Sequence, residues 1–128
     1  MNGQPPTTMI ALSQLSKQYR IGNTPLNALA GVDLMINAGE YVAITGPSGS
    51  GKSTLLNMIG LLDRPDSGSY CLHGEATESL NEERRAQLRR DQIGFIFQAF
   101  HLIPRLSALE NISLPLMLAG LPRAEQQQ

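Results

Sequence analysis

Tyr41-Val42-Ala43-Ile44-Thr45-Gly46-Pro47-Ser48-Gly49-Ser50-Gly51-Lys52-Ser53-Thr54-Leu55-Leu56 is the stretch that decides the fold of this chain. Its first five residues are β-branched or apolar almost without interruption, the pattern of a strand buried on both faces of a partly parallel sheet. Its end opens a helix, Ser53 to Leu62, with Leu55, Leu56, Ile59 and Leu62 on helical spacing. Between the two, Gly46-x-x-x-x-Gly51-Lys52-Ser53 has the full spacing of a phosphate-cradling P-loop. Each residue type has a physical task there. Glycine at 46, 49 and 51 permits torsions, and a closeness to ligand, that a β-carbon would obstruct. Consecutive backbone N–H groups can then converge on an anion, helped by the positive end of the following helix. Lys52 would bring a mobile charge to the β- and γ-phosphates, and Ser53 would offer its hydroxyl to Mg²⁺. Background residue frequencies give such a pattern well under about a 1% chance in a chain this long. The strand–loop–helix setting is the context the chemistry demands.

Working outward, residues 1–8 read as a loose, proline-containing leader. Ile10, Leu12 and Leu15 alternate with polar neighbours and lead to Tyr19 and Ile21, as in a half-buried strand. Gly22-Asn23-Thr24-Pro25 is a turn by composition, and Leu26 to Ile36 forms a second extended stretch ending at Asn37-Ala38-Gly39-Glu40. Beyond the P-loop helix, Asp63-Arg64-Pro65-Asp66-Ser67-Gly68 breaks the chain. Tyr70-Cys71-Leu72 reads as a short strand closed by Gly74. Asn81 to Gln92, rich in Glu, Arg, Gln and Leu, predicts a polar helix whose charges face water. Ile93 to Phe97 predicts a second buried strand. Gln98 to Arg105 is a loop, and Ser107-Ala108-Leu109-Glu110 has capping-box spacing at the start of a helix through Leu118. Pro115 predicts a kink or an early break in it. Leu121 onward opens a new polar segment. The order of elements predicts an α/β fold, a P-loop NTPase core with a mixed, partly parallel sheet and antiparallel N-terminal strands.

Bulk properties narrow the function. The 128 residues suit one modest domain, with 41% apolar residues, 16% charged residues and a net charge of −1. That balance supplies no excess of Lys and Arg for phosphate backbones, so nucleic acid is not expected as a partner. One cysteine, Cys71, precludes an internal disulfide and reads as a small apolar strand residue. No apolar run approaches the roughly 20 residues that span a bilayer. The first residues lack the basic and apolar regions of a secretory signal, which predicts a cytosolic chain. Hydrolysis also requires a carboxylate at the end of a second buried strand. Ile93 to Phe97 ends in Gln98, and Asp63 follows the P-loop helix, so neither segment supplies one.

Taken together, these residues resemble the nucleotide-binding subunits of ABC transporters from about Met9 to Arg123. Tyr19 resembles the aromatic that stacks on adenine in that family. Residues 39–56 resemble its Walker A strand, loop and helix, and the resemblance implies nucleotide contacts from Gly46, Pro47, Ser48, Gly49, Ser50, Gly51, Lys52, Ser53 and Thr54. Gly94-Phe95-Ile96-Phe97-Gln98, followed by Phe100-His101-Leu102-Ile103-Pro104, resembles the Q-loop. Gln98 is thereby implied as a catalytic residue contacting Mg²⁺ or the attacking water. Residues 57–69, with Leu109-Glu110-Asn111-Ile112 and Leu114-Pro115-Leu116, are most similar to the branch that exports macrolides or extracts lipoproteins. The family's Leu-Ser-Gly-Gly-Gln signature, Walker B Asp-Glu pair, D-loop and switch histidine have no counterpart here. Neither His73 nor His101 matches the switch, and both read as surface residues.

The resemblance implies ATP and Mg²⁺ as ligands, a membrane-spanning permease and a second nucleotide-binding subunit as partners, and a place on the cytoplasmic face of the inner membrane. It implies that residues 9–128 are an incomplete nucleotide-binding domain, reaching the start of the helical subdomain. The expectation is that the chain binds ATP without efficient turnover. A soluble ABC-type ATPase without a membrane partner, or a truncated product without function, are the alternatives.

Overall fold

β1 (Thr8–Ile21) and β2 (Thr24–Asn37) are the expected N-terminal strands, joined antiparallel across a two-residue turn at Gly22 and Asn23. The computed structural model describes residues 7–122; most of the leader and the end of the polar C-terminal segment lie outside the described residues. β1 also pairs antiparallel with β3 (Ser67–Leu72), and β3 with β4 (Glu75–Ala76), giving the order β2-β1-β3-β4. α1 (Lys52–Ile59) follows the P-loop, α2 (Glu82–Gln92) follows β4, and α3 (Ala108–Leu118) comes last. The described chain clusters into two compact units, divided between Asp91 and Gln92.

The first unit holds the core: Leu12, Leu15 and Leu29 from the hairpin, Met58 and Leu61 from α1 and its end, Tyr70 and Leu72 from β3, and Leu88 from α2. Leu12 and Leu15 are three residues apart, an odd spacing that would point them to opposite faces of a regular strand. Both are buried because the register slips between them around Gln14, which sits at φ 48°. A bulge of this kind adds a residue and restores the inward face.

The two buried strands expected at 41–45 and 93–97 are not formed among the described residues. Tyr41 is 98% exposed and Ile96 fully so. A strand in a parallel sheet is held by ladder bonds on its edges and cover on both faces. The described sheet is antiparallel and offers these segments neither. The P-loop helix also ends three residues early, at Ile59. Leu61 adopts φ 56° and turns inward, so Met58 and Leu61 are buried while Leu56 and Leu62 are about half exposed.

The polar helix α2 begins as expected, with Asn81 Oδ1 accepting from the Arg84 N–H at 2.8 Å. Its charged surface is only partly solvated. Arg85 is 3% exposed, and its Nη2 donates to Leu61 O and Asp63 O, both at 2.8 Å. Arg89 Nη1 donates to Leu61 O at 2.7 Å, and the buried Tyr70 hydroxyl donates to Ile59 O at 2.8 Å. These three donors satisfy carbonyls at and just past the C-terminus of α1, where cations and donors are favoured. Burial pushes the Tyr70 phenol pKa up, against the neighbouring Arg85 charge, and burial likewise lowers that of Arg85.

In the second unit the capping box is complete: Ser107 N–H donates to Glu110 Oε2 at 2.8 Å and Glu110 N–H to Ser107 Oγ at 3.2 Å. The early break expected at Pro115 does not occur; α3 runs through it to Leu118. Asn111 ties the preceding loop to the helix. It accepts from the Ile103 N–H at 2.8 Å and donates through Nδ2 to Leu106 O and Ser107 O at 3.1 and 2.9 Å.

Candidate nucleotide site

The P-loop leaves residue 45 and closes at Gly51, the N-cap of α1, which stands at φ 93°. A β-carbon there would lie 2.4 Å from Ala28 O, so only glycine lets the loop pack against β2. Gly49, at φ 79°, also needs a left-handed backbone. Because Gly51 has no side chain, no side-chain cap bonds the first N–H groups of α1, and its first turn carries no acid. Those N–H groups and the positive helix end are what an anion seeks.

Lys52 Nζ donates to Gly46 O at 2.7 Å, Pro47 O at 2.6 Å and Ser50 Oγ at 3.2 Å, which centres its charge on the loop. A cavity of about 560 Å³ opens beside it, lined by Ser48, Gly49, Gly51, Lys52, Ser53 and Thr54 from loop and helix. Tyr19, Leu26, Asn27 and Ala28 line its other side. The structure thus brings together Tyr19 and the P-loop, which begins 27 residues further along the sequence at Gly46. Gly46, Pro47 and Ser50 reach the site through Lys52. Leu26, Asn27 and Ala28 went unnoticed in the sequence. Their signal is the hairpin itself, in which Leu26 pairs with Tyr19 and Asn27 with Gln18.

Tyr19 is held from beneath. Its hydroxyl donates to Asp63 Oδ2 at 2.7 Å, and Lys17 Nζ sits 5.3 Å from the ring centroid. The Asp63 bond, then burial, raises the phenol pKa, with Thr54 opposing through its own hydrogen bond. Burial pushes the Asp63 carboxyl up, but hydrogen bonds from Tyr19, the Arg64 N–H and Lys17 outweigh it and leave the group below the usual aspartate range.

Gln98 belongs to the second unit, exposed at a bend after Phe97. Around it, Phe95 and Phe97 stack with centroids 5.6 Å apart, and Phe97 meets His101 at 4.4 Å, so His101 is a packing residue as well as a surface one. His73 is exposed in the β3–β4 turn.

Residues 29–128 match the family model described as "ABC transporter". The chain belongs to the ABC transporter family. This cassette is 49% identical over 120 residues to the ABC transporter ATP-binding protein YknY of Bacillus subtilis, covering 94% of this chain and 52% of the relative. To the macrolide export ATP-binding/permease protein MacB of Nitrobacter winogradskyi it is 53% identical over 116 residues, covering 91% of this chain and 18% of MacB. Its fold matches a dimeric post-hydrolysis structure of the ATP-binding cassette MJ0796 with ADP and Pi, at a TM-score of 0.85 and 44% identity, covering 93% of this chain and 53% of that one. The cassette therefore spans about half the length of YknY and of MJ0796. The P-loop NTPase fold with antiparallel N-terminal strands follows from these matches.

Proposed function

We propose that this cassette holds the triphosphate of ATP in the loop 46–53 and its adenine against Tyr19, as the nucleotide-binding part of an ABC transporter. The observation that carries the reading is one cavity lined both by Tyr19 and by Lys52, Ser53 and Thr54. At about 560 Å³ it lies within the usual range of small-molecule sites. The uncapped start of α1 and the Cβ-free approach at Gly51 suit a polyanion. Lys52 would exchange loop carbonyls for β- and γ-phosphate oxygens. Mg²⁺ takes few protein ligands beside phosphate and water, so the exposed Ser53 hydroxyl fits it. When bound, Mg²⁺ supplies charge neutralisation on the phosphate oxygens.

Isothermal titration with MgATP tests this reading. Lys52→Ala is expected to cost about 1.5–3 kcal/mol, roughly 10- to 150-fold in Kd, with the thermal melt unchanged. Unchanged affinity would sink it. The 128-residue chain by itself is expected to bind without sustained phosphate release, because it has no Asp-Glu pair at a strand end.

The second unit supports the transport part of the proposal. Phe100, Leu102 and Ile112 are 92%, 64% and 76% exposed, beside a groove of about 650 Å³. Such apolar surface suits a protein partner, here a membrane-spanning permease. Among the described residues no helix is long and apolar enough to cross a membrane. In this reading the permease would hold the cassette at the cytoplasmic face. A second cassette would complete the ATP sandwich, in keeping with the dimeric structures of MJ0796. Co-purification with a permease from membranes is the expected outcome. Recovery with ribosomes or DNA would move the reading to a soluble ATPase.

A further inference from the structure

We infer that Asp63 is the positioning residue of the base platform: it fixes the ring of Tyr19, and α2 in turn fixes Asp63. The inference rests on the proposed stacking of adenine on Tyr19 and adds what sets the orientation of that ring. A tyrosine ring is free to swing about two side-chain torsions unless both its ends are held. Tyr19 is held at its backbone by β1 and at its hydroxyl by Asp63 Oδ2.

Asp63 is itself over-determined. Its Oδ1 accepts from the Arg64 N–H at 2.7 Å and from Lys17 Nζ at 3.3 Å. Lys17 Nζ also donates to Arg64 O at 2.7 Å and lies 3.5 Å from Asp66 Oδ1, so the lysine cannot easily release the carboxylate. From the other side, Arg85 of α2 donates to Leu61 O and Asp63 O, and Arg89 to Leu61 O. The turn between α1 and β3 is therefore clamped by an element that lines no part of the cavity.

The same arrangement selects one face of the ring. Lys17 Nζ stands over Tyr19, and Lys17 is not among the cavity-lining residues, while Tyr19 is. The cation thus occupies one face and leaves the other for a flat, π-rich ligand. Asp63 acts through Tyr19 and touches no phosphate. Its contribution should appear only for ligands that carry a base.

The test compares MgATP with magnesium tripolyphosphate, which has the phosphates and no base, by isothermal titration on the full chain. Asp63→Ala is expected to weaken MgATP about threefold to tenfold, the range of one lost hydrogen bond, and to leave tripolyphosphate unchanged. Asp63→Asn, whose amide oxygen can still accept the phenol, should recover most of that loss. Tyr19→Phe, which removes one oxygen and leaves the turn intact, should reproduce the Asp63→Ala value even if that variant folds poorly. The double variant should lose no more than either alone. Equal weakening of both ligands by Asp63→Ala would make it merely structural and overturn the inference. If Tyr19→Ala lowers the preference for ATP while Tyr19→Phe and Asp63→Ala do not, the inference alone fails. If Tyr19→Ala leaves that preference unchanged, the adenine platform fails and the inference with it.

Discussion

The two units of this cassette differ in whether they hold a core: the buried apolar residues among those described all lie in the first, although Tyr41, Met35 and Ile21 stand exposed there as well. In the first, large side chains such as Leu15, Met58, Leu61 and Tyr70 are buried to within 1% of their surface, and the phosphate end of the exposed site is polar, made of loop backbone, Lys52 and Ser53. In the second, Phe100, Leu102, Ile112 and Leu118 stand largely exposed, and polar groups do the internal work: the Ser107–Glu110 box and the four hydrogen bonds of Asn111. A small anionic ligand needs oriented dipoles on a rigid base, and a core supplies rigidity. A protein partner needs apolar area kept in reach, and local hydrogen bonds can shape a loop without burying that area. The contrast matches the two tasks proposed for the chain.

The largest expected effect comes from making the same kind of truncation in both units. Leu15→Ala removes a fully buried side chain and should cost about 2–5 kcal/mol in a urea melt. Ile112→Ala removes a side chain 76% exposed on α3 and should stay within about 0.5 kcal/mol, since alanine is also the better helix former. Comparable losses at both positions would break the contrast, because Ile112 would then be a core residue.

A middle-sized effect sharpens the view of the second unit as locally held. Ser107→Ala deletes the side-chain half of the capping box and should cost about 1 kcal/mol, read as lost helicity and faster amide exchange over residues 108–111. If exchange there did not change, Asn111 rather than the box would be what orders the start of α3.

How far these features could be read in advance depended on whether their cause was local. The P-loop, the Gly22-Asn23 turn and the capping box are each decided within about eight residues, and all were legible. The site was legible in part, because Tyr19 and the loop were recognised separately while their meeting depends on the hairpin register that sets Tyr19 opposite Leu26. Features decided at a distance were not legible. The bulge at Gln14, which turns Leu15 inward beside Leu12 despite their odd spacing, is one of them. The inward turn of Leu61 depends on the donors of Arg85 and Arg89, which composition alone assigned to water. Tyr41 to Thr45 has the composition of a central strand, yet strand formation needs partners, and composition does not supply them.

The smallest expected effect concerns the link between core and site, where Asp63 joins the α1–β3 turn to Tyr19. Its carboxyl lies below the ordinary aspartate value of 3.8, so in acid the unfolded chain takes up its proton before the folded one does. The stability this group contributes is accordingly complete above its unfolded value and is lost as the pH falls through the lower folded one. Lys17, Tyr19, Arg64 and Asp66 surround the group. Thermal melts of the wild-type chain between pH 5 and pH 2.5 should therefore fall more steeply than those of Asp63→Asn. The exposed acids Glu40, Glu75, Glu82 and Asp91, also held below their ordinary values, contribute equally to both curves and cancel in the difference. The Asp63 side chain is 35% exposed, and solvent screening keeps the difference small. Parallel curves would mean that Asp63 is tied no more closely in the folded chain than in the unfolded one. In that case the turn would hold Tyr19 by packing alone, and the polar site would owe less to the core beneath it than the hydrogen bonds indicate.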